Sequence, residues 1–516
     1  MERTIINKKN VALAISYIIY AFVIIRFIML NVIKVYIDSM RTRIYFYFVL
    51  ILLLLIPVIF LFYIVSAKKY KYENIFLCVS LLWGIAFCFI QPGAIQADGH
   101  AHLGTSYEFA NVILGYDVKV EESGSADLAH VRLEDLKPAN LTILNRTTYK
   151  DMAEGSWLHA EDDGNLYQDI LYRYYLLNKS PLFLYRYLFS GIGMTIGRIC
   201  NLGQIGLIYF AKLCNVIAFS LIGWFCVRII PYGKSQMVTI AMIPMLVETY
   251  SSLHYDGLLI DIILLFYSLC IFYSEKTERL RWYDYVILAV VWLMLIPNKY
   301  IFSILGLFVF LLFKRERLDK KKVIFFVLLT ISVLVCVWAL FGKTIVNYLK
   351  YSDGTKCDYV YQITHPLFML ELFYRNLTPS HMLNQSLGLM GNQIGHFQGV
   401  LDGKLMIIMY VFVVLSVVFA VGNRMPYKNR RYCLMVCMLT LFGVYSSCLS
   451  RVDRTFEHQP LWVWGRYIIP IFMLIPLIYG TKQEEDERSL VSFYIQSILL
   501  SFVACNIIWI AMNNSF

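Results

Sequence analysis

Apolar positions in this chain fall in long blocks rather than scattering through it. About thirteen runs can be drawn, at approximately 11–31, 44–66, 74–91, 205–229, 235–250, 255–273, 283–297, 300–313, 323–342, 404–422, 431–450, 466–480 and 489–512. A helix needs roughly 20 apolar residues to cross a hydrocarbon core, and fewer when other helices surround it. The pattern predicts an all-α polytopic membrane protein of about 13 transmembrane helices, several of the central ones short. Two long polar stretches divide the series into N-terminal spans (1–91), a first loop (92–204), central spans (205–342), a second loop (343–403) and C-terminal spans (404–516).

Composition agrees with that class. Of 516 residues, 59% are hydrophobic and 16% charged, against about half and a quarter in soluble domains. Tyr and Phe, 38 and 35 in number, gather near run ends as interfacial belts do. A net charge of +11 suggests nucleic acid in a soluble protein; here it reflects loops that collect Lys and Arg on the cytoplasmic side, so no nucleic-acid partner is expected. With the N-terminus inside, beside Arg3, Lys8 and Lys9, the inner loops carry Lys68–Lys69–Lys71, Lys276–Arg279–Arg281, Arg315 to Lys322 and Arg424 to Arg431. Arg41 and Arg43 are the exception. Both long loops then face outside. The polar N-terminus and the absence of a small-residue cleavage site predict an uncleaved first span. Most of the 12 cysteines lie inside apolar runs, among them Cys214, Cys226, Cys270, Cys336 and Cys505, and none has zinc-site spacing. Cys433 and Cys437, one helical turn apart, read as small buried hydrophobes.

Within the first loop, 104–115 predicts a short helix at the membrane surface, and 121–169 is acidic and turn-rich. The segment 180–200 is apolar and aromatic, but Gly191, Gly193 and Gly197 interrupt it, so a helix lying in the interface suits it better than a span.

Reactive side chains concentrate on the outer side. Asp98-Gly99-His100-Ala101-His102 opens the first loop where a span ends. Asp98 and His102 share a helix face at i, i+4. Such a carboxylate can act as general base, hold a divalent cation with His100 or His102, or cap the following helix. Charges inside spans cost several kcal/mol in lipid unless paired or hydrated. Lys212 and Asp261 fall roughly 10 Å deep at 1.5 Å per residue, and are expected to face the bundle interior, where the two can pair. Glu248 sits near an outer helix end, and Asp256 starts the next span, as an N-cap or a supporting site residue. Lys299, in the outer turn Asn298-Lys299-Tyr300, can neutralise a phosphate or snorkel. Arg451, Asp453, Arg454, Glu457 and His458 lead into Trp462, Trp464, Gly465, Arg466 and Tyr467, where a guanidinium fork beside aromatic faces suits a lipid phosphate and a sugar ring. No phosphate-binding G-x-x-x-x-G-K-[ST] loop occurs, which argues against an ATP-driven pump.

These residues carry a resemblance. The chain resembles the GT-C superfamily of membrane glycosyltransferases, and within it a bacterial family of predicted polytopic membrane proteins. That family opens its first outer loop with D-E-x-x-H-F; here stands Asp98-Gly99-His100-Ala101-His102-Leu103, followed by Tyr107 and Gly115. Its P-L-x-Y-x-P, glycine-rich stretch and G-R correspond to Pro181-Leu182-Phe183-Leu184-Tyr185, Gly191, Gly193 and Gly197-Arg198. Its intramembrane arginine with L-x-N corresponds to Lys212-Leu213-Cys214-Asn215, its serine-rich approach to an aspartate to Ser251, Ser252 and Asp256, and its G-R-Y-x-x-P to Gly465-Arg466-Tyr467-Ile468-Ile469-Pro470. Gly99 departs from the family's second acid, leaving Asp98 as the base; Lys212 keeps the arginine's charge without its fork. The resemblance implies a GT-C-like fold and an inverting sugar transfer from a polyprenyl-phosphate carrier to a glycan or lipid acceptor at the outer face of a bacterial cytoplasmic membrane. Asp98 would deprotonate the acceptor, with His100, His102 and Asp256 in support. Lys299, Arg466, Lys212, Trp464 and Tyr467 would hold phosphate and sugar. No cofactor is assigned; a divalent metal at Asp98 and His102 stays open, weakened by Gly99 in place of the second acid. A lipid-linked glycan polymerase or ligase, and a flippase or transporter, remain the alternatives.

Overall fold

Helices make up nearly every element, as expected where a backbone in lipid must satisfy its N–H and C=O groups within its own segment. The computed structural model describes residues 8–34, 39–66, 70–93, 99–116, 127–131, 149–158, 168–172, 184–312, 324, 331, 356–376, 402–450, 463, 465–482 and 487–514. The chain starts with α1 (Lys8–Arg26), prolonged by a π-helical stretch (Phe27–Ile33), then α2 (Met40–Ser66) and α3 (Tyr72–Ile90). The first loop contributes α4 (Gly99–Leu114), β1 (Asp127–Val131), α5 (Tyr149–Glu154), β2 (Gln168–Tyr172), a 3-10 turn (Tyr185–Tyr187) and α6 (Leu188–Ile199); β1 and β2 pair antiparallel, Asp127 opposite Tyr172. There follow α7 (Gln204–Ile229), α8 (Lys234–Ile240), α9 (Pro244–Tyr250), α10 (Asp256–Glu275), α11 (Trp282–Leu293), α12 (Leu295–Asn298) and a 3-10 helix (Tyr300–Leu312). The chain closes with α13 (Tyr359–Thr364), α14 (Pro366–Asn376), α15 (Gly403–Val418), β3 (Asn423–Arg424), α16 (Tyr427–Leu449), α17 (Gly465–Phe472), α18 (Leu474–Ile478), β4 (Thr481–Lys482) and α19 (Glu487–Asn514), with β3 and β4 paired antiparallel.

Among the described residues, seven helices are long and apolar enough to cross a membrane: Lys9–Ile33, Met40–Ser66, Tyr72–Ile90, Gln204–Ile229, Asp256–Glu275, Tyr427–Leu449 and Arg488–Asn513. Four shorter apolar helical stretches, Trp282–Asn298, Tyr300–Leu312, Gly403–Val418 and Gly465–Ile478, accompany them. Apart from residues 324 and 331, the expected span at 323–342 lies outside the described residues. The 300–313 run, short for an α-helix, is a 3-10 helix of 13 residues; at about 2.0 Å per residue it reaches about 26 Å.

The run at 235–250 is two helices, not one. Pro244 cannot donate to the preceding turn, and Ile243 is extended (ψ 125°), as residues before proline tend to be. The interruption is tolerated because neighbouring side chains take up the backbone carbonyls around it. Gln496 Nε2 donates to the Thr239 carbonyl at 2.7 Å, and the Tyr250 hydroxyl to that of Ala241 at 3.3 Å. Every residue from 235 to 250 is buried.

Small residues set the seam between α3 and α7. Ser80 donates to Ser220 at 2.8 Å, Gly84 lies under Val216 and Tyr250, and Gly223 under Phe76. Such close approach drives helix association in lipid, where burial of apolar surface gains little. The glycines of α6 do the same work and do not interrupt it. A Cβ at Gly191 would lie 2.3 Å from Phe109 Cγ of α4, and one at Gly193 would lie 2.6 Å from Ala211 Cα of α7. The latter obstacle is backbone and cannot swing aside. Gly193→Ala is therefore expected to cost about 1–3 kcal/mol through overpacking, while Gly403→Ala, with nothing within 4 Å of its Cβ, is neutral or slightly stabilising. Melting of the two purified variants in one detergent compares them directly.

Candidate functional site

At one end of the bundle, the starts of α10 and α17, the turn after α12 and the first turn of α4 converge. The turn from Ser251 to Tyr255 is fixed from within and without. Ser251 and Ser252 hydroxyls donate to the Glu248 and Thr249 carbonyls at 3.3 and 3.0 Å, and Ser252 Oγ accepts the His254 N–H at 3.2 Å. Asn215 of α7 donates to the Ser252 carbonyl at 2.6 Å. His254 Nδ1 then accepts the backbone N–H of Asp256 at 3.0 Å, so an imidazole serves one of the orphan donors at the start of α10. Asp256 is the first residue of that helix and does not cap it, contrary to one expectation. Its carboxylate is turned instead onto Lys299, with Oδ1 at 2.7 Å and Oδ2 at 2.9 Å from Nζ.

Lys299 is carried by a braced turn. Arg186 donates to the Pro297 carbonyl and Asn298 Nδ2 to that of Met294. The Lys299 ammonium lies 5.2 Å from the Tyr255 ring centre and 4.6 Å from that of Tyr467, a geometry of cation–π attraction. Arg466, second residue of α17, shares the Tyr467 ring, 5.2 Å from its centre, and lies 3.4 Å from His254 Nε2. From α4, His102 packs on His254 with ring centres 4.1 Å apart, and its Nδ1 meets the Tyr187 hydroxyl at 2.9 Å.

Residues 81–475, which contain this whole cluster, match the family model described as Predicted membrane protein (DUF2142). The chain belongs to that family. The DUF2142 match begins within α3 and ends within α18. No curated protein and no solved structure matches the chain.

The electrostatics of this DUF2142 cluster are uneven. Asp256 is 1% exposed at its side chain and Lys299 19%. Burial works most strongly against the Lys299 charge, but the Asp256 carboxylate together with the Tyr255 and Tyr467 hydroxyls outweighs it and holds the ammonium above the ordinary lysine value. Burial, then the charges of Arg466 and Lys299, hold His254 well below the ordinary histidine value, so it is neutral at pH 7. An unfolded chain binds a proton at this histidine near pH 6.5, which the folded protein refuses until a lower pH. Its contribution to stability is thus complete above about pH 6.5 and is lost as pH falls below it. Melting temperature is expected to decline on acidification through pH 6.5–5, with a smaller decline in His254→Asn.

Of the residues singled out in sequence, His102, Asp256, Lys299, Arg466 and Tyr467 come together here. Asp98 and Trp464 lie outside the described residues, as do Arg451 to Trp462; His100 lies in α4, with its side chain outside the description. Helix α4 begins directly after Asp98, and its first turn faces the cluster through His102. Among the described residues, no group of three or more His, Cys, Asp or Glu side chains is placed to hold a metal ion.

Lys212 and Asp261 do not pair. Lys212, 0% exposed, donates to the Gln91 carbonyl at 2.9 Å and lies over the Tyr209 ring. The carboxylate that acts on it is Glu248 of α9. It thus serves the carbonyl end of α3, where a cation also suits the helix dipole. One turn on, Asn215 holds the serine turn, so this single face of α7 aligns the exit of α3 with the entry to α10. His254, Tyr255, Arg186 and Tyr187 escape a reading of the chain. The one available signal is a histidine two positions before an aspartate in a serine turn that opens an apolar run.

Proposed function

We propose that this DUF2142 protein is a GT-C-type membrane glycosyltransferase of about 13 spans. It would sit in a bacterial cytoplasmic membrane with its N-terminus inside, and transfer a sugar from a polyprenyl-phosphate carrier to a glycan or lipid acceptor at the outer face. The observation that carries the reading is the convergence of Lys299 and Arg466 on one tyrosine ring, beside two histidines and a buried carboxylate, where α4 enters after Asp98. Cations fixed beside aromatic faces at a bundle end suit a phosphate leaving group and the sugar attached to it. In the transfer, Asp98 takes the acceptor hydroxyl proton as the acceptor oxygen bonds to the anomeric carbon. The bond from that carbon to the phosphate oxygen breaks, inverting the centre, and the polyprenyl phosphate departs with its electron pair onto Lys299 and Arg466. Trp464 and Tyr467 flank the sugar.

A second reading, a flippase, is favoured by the interruption between α8 and α9, since transporters bind substrate at broken helices. One experiment separates the two. Purified protein in sealed vesicles is given labelled polyprenyl-phosphate sugars with candidate acceptors on the side of Lys299. Release of free polyprenyl phosphate with sugar on the acceptor supports the transferase; movement of intact donor across the bilayer with no release supports the flippase. A polymerase or ligase is distinguished by release from a lipid-linked oligosaccharide and not from a single-sugar donor.

A further inference from the structure

Two donors face each other inside the cluster. His254 Nδ1 accepts the backbone N–H of Asp256 at 3.0 Å, so its lone pair is in use. A neutral imidazole carries its proton on the other nitrogen, which places an N–H at Nε2. Only 3.4 Å from Nε2 lies Arg466 NH1, and a guanidinium has donors and no acceptor. The other tautomer would set an Nδ1–H against the Asp256 N–H, with the Asp256 carboxylate no closer than 3.5 Å. Protonating both nitrogens adds a third positive charge beside Arg466 and Lys299. An acceptor placed between them takes up the Nε2–H and is held by the guanidinium as well.

We propose that His254 Nε2–H and Arg466 together bind one oxygen of a phosphoryl group, making His254 a ligand-binding residue. Lys299 shares the Tyr467 ring with Arg466, at 4.6 and 5.2 Å from its centre. His254 is 7% exposed, and Ser252 and His102 hold it from two sides, so the donor is fixed before a ligand arrives. A rigid, dry N–H aimed at an anion gives more than a mobile surface one. The identity of the anion as a lipid phosphate rests on the proposed function; the paired donors do not.

Among the described residues, the charged and titratable groups around His254 are Asp256 on its own turn, Lys299 from the α12 turn, Arg466 from α17, His102 from α4 and the Tyr255 hydroxyl, with Tyr187 packed behind Tyr255 and His102.

Two substitutions separate the roles of the two nitrogens. Asn at 254 can present an acceptor where Nδ1 stands and cannot reach the Nε2 position. Gln at 254 can present an N–H where Nε2 stands. Binding of farnesyl phosphate and of inorganic phosphate is measured by calorimetry on the detergent-purified full chain at pH 7.5. Expected is a loss of about 10- to 100-fold in farnesyl phosphate affinity for His254→Asn, the worth of a hydrogen bond to a charged group, with melting unchanged, and partial retention for His254→Gln. Equal affinity for the wild type and His254→Asn, or a loss in Gln greater than in Asn, overturns the proposal, as does absence of binding to either phosphate. Binding of inorganic phosphate as tight as that of farnesyl phosphate supports the phosphoryl site and points to a soluble source. Binding without any sugar release in the vesicle assay keeps this site and removes the transferase; release undiminished in His254→Asn does the reverse.

Discussion

Lys299→Met is expected to destabilise the folded bundle by about 3–5 kcal/mol, the cost of leaving a buried charge without its partner. Asp256 is 1% exposed, its two oxygens lie 2.7 and 2.9 Å from the Lys299 ammonium, and His254 beside it is neutral. Methionine matches the length of the lysine stem, so the loss is of charge and not of packing. The reverse substitution is asymmetric. Asp256→Asn leaves the ammonium, whose side chain is 19% exposed, free to lean toward water, and about 1–3 kcal/mol is expected. In the double variant no charge is stranded, and a coupling of about 2 kcal/mol is expected to return. Reversible unfolding in mixed micelles gives all four corners of the cycle. Additive losses would show that Lys299 and Asp256 do not depend on each other.

The ion pair also limits what Asp256 can do. A carboxylate held by one ammonium at 2.7 and 2.9 Å positions Lys299 and is poorly placed to accept a proton from an incoming hydroxyl. A base for the proposed transfer must come from another element. The helix that reaches this cluster from the first loop is α4, and it starts immediately after Asp98.

What the sequence discloses here follows from the range of the forces involved. Length and apolarity act within one segment, so the runs at 44–66, 205–229 and 489–512 translate directly into α2, α7 and α19. The short runs are less direct, because Pro244 splits one into α8 and α9 and a 3-10 geometry stretches another. Desolvation cost marks Lys212 as needing a partner but does not name it; the Gln91 carbonyl, 121 residues away, answers that need. The glycines of 180–200 look like helix breakers in isolation. Their purpose is visible only once Phe109 and Ala211 occupy the space where side chains would be. Likewise His102, Lys299 and Arg466 stand out singly as polar groups at run ends, whereas His254, wedged between two of them, is revealed by contacts from α4 and α17. Long-range juxtaposition is the part that periodicity and composition do not encode.

Asp98→Asn is expected to lower sugar transfer by about 100- to 10,000-fold, the range of general-base catalysis, while leaving expression and melting unchanged. The choice of asparagine decides between the two roles open to this residue. Asn caps a helix about as well as Asp, so a residue that merely starts α4 tolerates it. A residue that must take a proton does not, because the amide has no basic oxygen. Asp98→Ala removes both properties and is expected to lose activity together with some stability, typically about 1 kcal/mol for a lost cap. Release of labelled polyprenyl phosphate, followed over time for each variant, gives the comparison. Full turnover by Asp98→Asn would leave the transfer without a base on α4. The proton would then have to pass to a substrate phosphate oxygen, with Lys299 and Arg466 holding that phosphate.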